Sequence, residues 1–267
     1  MNNGFSITLD HISVEYSGES KSSYKPPKDH CHDRYEIIYT VSASGRYIVE
    51  GSEYSVRPRT LMLIRPLAYH HVDLEDSAEY EGYSIQFHQS ALSDRVASML
   101  ERIIAVGEDN GRYYPSVNVS DALISVFDRL SFAKDLSNEE QGAYIDTLVS
   151  EIIILLSAAE GERITHSEDQ LGARVARYLN GNIEKNISLD RLARRFFVSK
   201  YHLCRAFKEY SGISVHSYIN HKRIMYAKLI IESGITASRV AERVGFGDYS
   251  AFYRAYTKIV GKSPTAN

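Results

Sequence analysis

Two stretches of this 267-residue chain carry side chains that could do chemistry at a defined spacing. In HCHDRYEIIY, residues 30–39, His30, His32 and Glu36 share parity, so an extended backbone turns all three to one face. His70, 34 residues beyond Glu36, is a fourth donor. Imidazoles and a carboxylate on one face suit either of two roles. They can ligate a divalent metal, or they can hydrogen-bond a hydroxylated ligand, with neutral histidine donating or accepting and Glu36 accepting from a hydroxyl. Tyr39 and Tyr47 are further pocket candidates, because with 20 tyrosines and no tryptophan any stacking on a ring or sugar falls to tyrosine.

The second stretch is SKYHLCRAFKEYSG, residues 199–212. Leu203, Ala206 and Phe207 recur at the three- and four-residue steps that bury one side of a helix. Lys200, Tyr201, Cys204, Arg205 and Lys208 are then left on the outer side. Arg205 can make paired hydrogen bonds to guanine O6 and N7, and Tyr201 can touch a thymine methyl group or a phosphate. The two lysines suit phosphates, which add affinity without sequence choice. A charged helix face is ordinarily solvated surface, but this arrangement recurs: Asp248 opens DYSAFYRAYTKIVG with Phe252 and Tyr256 inward. Between the two copies, Ser214 to Ser233 reads as one helix stopped by Gly234. At 1.5 Å per residue its roughly 18 residues span about 27 Å. Allowing for the width of the flanking units, that length suits two reading helices about one DNA turn apart.

These groups need elements to hold them. From Phe5 to about His88 the pattern is short and alternating, rich in Tyr, Ile, Val and Thr and broken by Gly, Pro, Ser and Asp. It predicts antiparallel strands forming a small barrel or sandwich, an architecture that can enclose a ligand. From Ser120 the period becomes helical, with Leu123 to Leu130 and Ile145 to Leu156 forming two amphipathic segments either side of KDLSNEE. The second is apolar enough to pack on two surfaces, which motivates a homodimer. Beyond a helix at Leu171 to Asn180, Ser188 and Ser199 are N-cap candidates for two short helices joined by a tight turn, and Thr236 and Asp248 repeat the device.

Charge separates the halves. Residues 1–166 carry 14 Lys and Arg against 26 Asp and Glu, a net −12, whereas residues 167–267 carry 17 against 8, a net +9. A basic half tied to an acidic one points to a polyanionic partner for the second. The start, MNNGFSITLD, lacks the pattern of a signal peptide, and the longest aliphatic run, Ile152 to Leu156, is short for a bilayer, so no membrane is expected. Two cysteines, Cys31 and Cys204, fit a reducing cytoplasm better than a disulfide framework.

The segment ISLDRLARRFFVSKYHLCRAFKEYSGISVHSYINHKRI, followed by ITASRVAERVGFGDYSAFYRAYTKIVGKSP, resembles the double helix-turn-helix domain of the AraC/XylS family of bacterial transcription regulators, over about residues 170–264. Ala193, Phe207, Lys208, Gly212, Ala241, Gly245, Phe246, Phe252, Arg254, Gly261, Ser263 and Pro264 carry the match. The resemblance implies that Tyr201, Cys204 and Arg205 face bases from the first reading helix. It places Tyr249, Ser250 and Tyr253 likewise on the second, with Arg254 nearer the backbone. The amino-terminal half is similar to the cupin-like sensing and dimerisation domain common in that family. Its His-x-His-x-x-x-Glu stretch resembles the cupin metal motif, which would make His30, His32, Glu36 and His70 ligands. The reading preferred here is a barrel without metal or other cofactor, whose same residues meet the effector.

The expectation is therefore a multidomain α+β protein: a cupin-like β-barrel with trailing helices over residues 1–160, a linker at 161–170, and an all-α double helix-turn-helix over 171–267. Its expected partners are double-stranded DNA, a small-molecule effector such as a carbohydrate, RNA polymerase and a second copy of the chain. Its expected role is a cytoplasmic regulator, an activator by family habit, and not an enzyme. The rivals are a cupin metalloenzyme with a helical appendage and a nonspecific architectural DNA binder.

Overall fold

Alternation of apolar and polar residues builds the strands of the first half: β1 (Phe5–Thr8), β2 (Ile12–Ser17), β3 (Tyr35–Ser42), β4 (Gly45–Val49), β5 (Ser52–Val56), β6 (Thr60–Ile64), β7 (His70–Leu74) and β8 (Glu81–Phe87). The helix α1 (Asp94–Ile103), β9 (Gly111–Tyr114), α2 (Asp121–Leu130), α3 (Asn138–Ala158) and β10 (Glu162–Ile164) complete it. The computed structural model describes residues 4–18, 30–75, 80–104, 110–164 and 170–265. By its contacts the chain forms two units, residues 1–28 with 34–165, and residues 29–33 with 166–267.

In the first unit the strands pair antiparallel into a seven-stranded sheet of order β1-β2-β8-β3-β6-β9-β10 and a three-stranded sheet of order β5-β4-β7. The two faces of the large sheet serve different cores. Ile37, Tyr39, Leu61, Leu63, Tyr83, Ile85 and Phe87 pack with α1, α2 and α3. Ile38, Met62 and Ile64 pack with Tyr47, Val49 and Val56 of the small sheet. Period-two alternation along β3 thus assigns Glu36 and Thr40, with Ile38, to the space between the sheets, and Tyr39 to the helical layer.

Three features depart from expectation. The KDLSNEE segment, read as a break, contains the start of α3: Ser137 accepts from the Glu140 amide while Glu140 reaches back to the Ser137 amide, a complete capping box. Within the stretch expected to be linker, Glu162–Ile164 instead pairs with β9 as a seventh strand, and residues 165–169 lie outside the described residues. Helix α3 has the length and apolarity of a membrane-crossing helix, beyond what its short aliphatic run suggested. It nevertheless buries Ile145, Leu148, Val149, Ile152, Ile153 and Leu156 in the core of this unit.

The second unit comprises α4 (Leu171–Asn180), α5 (Leu189–Arg195), α6 (Lys200–Ser211), α7 (Val215–Glu232), α8 (Ala237–Arg243) and α9 (Tyr249–Val260). Ser188, Ser199, Ser214 and Asp248 each accept a backbone amide three residues on, as N-caps. Thr236 stands at the N-cap of α8 but makes no such bond. Helices α6 and α9 are both 12 residues long, and each ends at a left-handed glycine, Gly212 at φ 71° and Gly261 at φ 80°. Leu203 and Phe207 of α6, and Phe252 and Tyr256 of α9, are buried, giving each module its own apolar seat.

Candidate functional site

The exposed faces of α6 and α9 are built by those caps and seats. With Leu203 and Phe207 inward, Lys200, Tyr201, Arg205 and Lys208 are exposed and Cys204 is half-buried. Tyr201 is 77% exposed, unusual for a tyrosine with an apolar ring to hide. Among the described residues, the Arg205 guanidinium makes only an ion pair along the helix to Glu209 at 3.1 Å. Exposed pairs of that kind contribute a few tenths of a kcal/mol, so exchanging it for a base edge costs little. Lys200 pairs with Asp190 of α5 at 3.0 Å. On α9 the outward residues are Tyr249, Ser250, Tyr253 and Arg254, all exposed, with the Tyr249 and Tyr253 ring centroids 6.3 Å apart. Every residue expected on the two reading faces therefore lies on the outer side of its helix.

The turns ahead of the two helices have the same hydrogen bonds. After α5, the amides of Phe197 and Val198 donate to Arg194 and Ala193; after α8, those of Gly245 and Phe246 donate to Glu242 and Ala241. Both turns pass through a left-handed residue, Phe197 at φ 56° and Gly245 at φ 84°. Phe197 was not singled out from the sequence, although its alignment with Gly245 was there to be seen.

Arg223 of α7 was also missed. Its guanidinium is buried and donates to the carbonyls of Ile183 (2.8 Å), Lys185 (2.6 Å) and Gly245 (2.8 Å), tying the loop after α4 to the turn of the second module. Desolvation holds its pKa below the usual arginine range. Nearby on α7, Lys228 closes a 2.6 Å ion pair with Asp33.

In the first unit, Glu36 and Tyr47 face the space between the sheets, where His70 joins them. Glu36 and His70 come together: His70 Nε2 bonds Glu36 at 2.8 Å, its Nδ1 donates to the Ala68 carbonyl at 2.9 Å, and Ser84 donates to the other Glu36 oxygen at 2.7 Å. Burial alone would lower the His70 pKa, but the bond to Glu36 and its charge outweigh that and raise it above the ordinary range. Both ring nitrogens are thus engaged, and the pair is arranged as a hydrogen-bond network. Tyr47 is buried with its hydroxyl on that of Thr40, also between the sheets. Tyr39 is a correction. It lies on the opposite face of β3, stacked on Phe127 of α2 with ring centroids 4.4 Å apart, and so packs against helices instead of lining the space between the sheets. His30 and His32, with ring centroids 5.8 Å apart, belong by their contacts to the second unit.

Comparison with known proteins assigns these two units. A model described as the AraC-like ligand binding domain matches residues 12–157, and a helix-turn-helix domain model matches residues 192–266. The HTH-type transcriptional regulator YfiF of Bacillus subtilis is 22% identical over 262 residues, covering 94% of this chain and 81% of its own. The HTH-type transcriptional activator RhaS of Salmonella dublin is 24% identical over 246 residues, covering 88% and 85%. Among solved structures, ToxT from Vibrio cholerae O395 is 14% identical and covers 96% of each chain, with a TM-score of 0.38. The metalloenzyme rival leaves the helix-turn-helix match unexplained, and the chain is a regulator, not an enzyme. With one family model spanning more than half of it and another covering the exposed helices of its second unit, the chain belongs to the AraC family of transcription regulators.

Proposed function

We propose that this regulator reads a specific duplex sequence with α6 and α9 in successive major grooves, binds a hydroxylated effector such as a sugar between its two sheets, and activates transcription with RNA polymerase in the cytoplasm. The observation that carries the reading is the pair of matched modules, equal in length and ending, that leave Arg205 and Tyr253 exposed above buried Phe207 and Phe252. Activation draws support from the activator named among its relatives. The polar groups between the sheets, Glu36, His70, Ser84, Thr40 and Tyr47, match the donors and acceptors of a polyol. A second copy is supported by apolar side chains left outward on and near α3, Ile154 at 46% and Phe132 at 53% exposure.

The test is selection of duplexes from a randomised library by the full-length protein, followed by footprinting. One preferred site protected over two adjacent major grooves supports the reading; uniform affinity with no protected site makes the chain an architectural binder. Titrating the protein with a panel of monosaccharides, alongside Glu36→Gln, tests the effector class. Sedimentation of Ile154→Glu against the wild type tests the dimer.

A further inference from the structure

Phe197, in the turn of the first module, is a side chain for which the described residues of its unit offer no seat. Its φ of 56° lies in the left-handed region, disfavoured for any residue with a Cβ, and its ring is 94% exposed. The second module makes the same turn with Gly245, through the same pair of backbone hydrogen bonds. Glycine is what this backbone favours. A phenylalanine here is disfavoured twice, by its conformation and by its hydrated ring, and no burial among the described residues compensates for either.

What surrounds the ring indicates what meets it. Ser199, the N-cap of α6, lies two residues on, followed by exposed Lys200 and Tyr201, and exposed Arg194 and Arg195 precede it. Phe197 lines a shallow surface depression with Asp190, Ala193, Arg194, Val198 and Ser199. An aromatic ring that shares its depression with the Arg194 guanidinium complements a polyanion that offers apolar carbon, and it stands four residues ahead of Tyr201 on the outer face of α6. On the major-groove edges of a duplex, the apolar groups are thymine C5 methyls.

We propose that Phe197, together with Tyr201, contacts thymine methyl groups where α6 enters the major groove, so that the first module selects thymine-bearing sites. This rests on the DNA-reading function proposed above and adds the chemistry by which one end of the site is chosen.

The experiment uses the full-length protein and a duplex it selects from a randomised library, compared with the same duplex carrying uracil for each thymine under the α6 footprint. Uracil deletes only the methyl group. Wild type should bind the uracil duplex about three- to tenfold more weakly, the size expected for losing one or two buried methyls. Phe197→Gly should lose a similar factor on the thymine duplex and little more on the uracil duplex. Its melting temperature should rise, because glycine relieves the positive φ, and so weaker binding cannot be put down to misfolding. The proposal is overturned if uracil leaves wild-type affinity unchanged, if Phe197→Gly binds like wild type, or if its loss simply adds to that of uracil, which would mark a sugar or phosphate contact. A fall in melting temperature overturns the premise of strain. Selection of no preferred duplex defeats the DNA reading itself, a result distinct from specific binding that ignores the methyl.

Discussion

Arg223 reaches from the linking helix to the carbonyl of Gly245 at 2.8 Å, and the same guanidinium holds Ile183 and Lys185. Three backbone carbonyls from two loops therefore share one cation as their hydrogen-bond donor. Arg223→Met should destabilise the second unit by about 3 kcal/mol, since apolar replacement removes three part-buried hydrogen bonds from a charged donor. Gly245→Ala should be comparably damaging, because its Cβ would sit 2.5 Å from the Glu184 carbonyl at a φ of 84°. Thermal unfolding of both variants measures this, and a change under 1 kcal/mol in each would show that the clamp is dispensable.

Arg205 and Lys208 share one helix face but should behave differently. Arg205→Ala is expected to cost about 1 to 3 kcal/mol on the selected site and much less on random duplex, as for a base contact. Lys208→Ala should weaken both alike and reduce the salt slope by about one. Binding isotherms at several salt concentrations separate the two, and equal losses for Arg205→Ala on both duplexes would make it a phosphate contact.

His70 and His221 predict opposite pH dependences. Held above its ordinary value by Glu36, despite burial, His70 keeps a proton that the unfolded chain releases near pH 6.5, so its contribution is full below about 6.5 and is lost as pH rises through the folded pKa. His221 is held down chiefly by burial, so its contribution is present above about pH 6.5 and lost as pH falls below it. Stability of wild type minus His70→Gln should therefore fall with rising pH, and that of wild type minus His221→Gln should rise. Calorimetry from pH 5 to 8 reads both slopes, and slopes of the same sign would refute the assignment.

Asp33 is 5% exposed and relies on Lys228 for its charge pairing. Lys228→Met should cost about 3 kcal/mol by leaving a buried carboxylate, and adding Asp33→Asn should recover most of that. If the double variant is no better than the single, the pair is not the source of the loss.

Much of the second unit was legible in the residue order. Ser188, Ser199 and Asp248 were recognisable as caps because a cap is a contact between residues three apart, and the stop at Gly234 is equally local. The repeat of an inward aromatic, Phe207 then Phe252, identified two modules for the same reason. The extent of β3 was not legible, since parity along residues 30–36 assumes one continuous strand and β3 begins only at Tyr35. Short elements such as β9 and β10 escaped because three or four residues carry too little period to be distinguished from loop.

Local order thus settled most of the helix ends, the outward faces of α6 and α9 and the opposite charges of the two halves, all of which follow from neighbours within a few positions. Folding alone decided which side of β3 faces the space between the sheets, separating Glu36 from Tyr39, and alternation cannot say which side that is. It also brought Asp33 to Lys228 across 195 positions and gathered three distant carbonyls around Arg223. Such pairings satisfy buried charges and backbone groups only after the chain has closed on itself, and no short window of residues encodes where the partner will be.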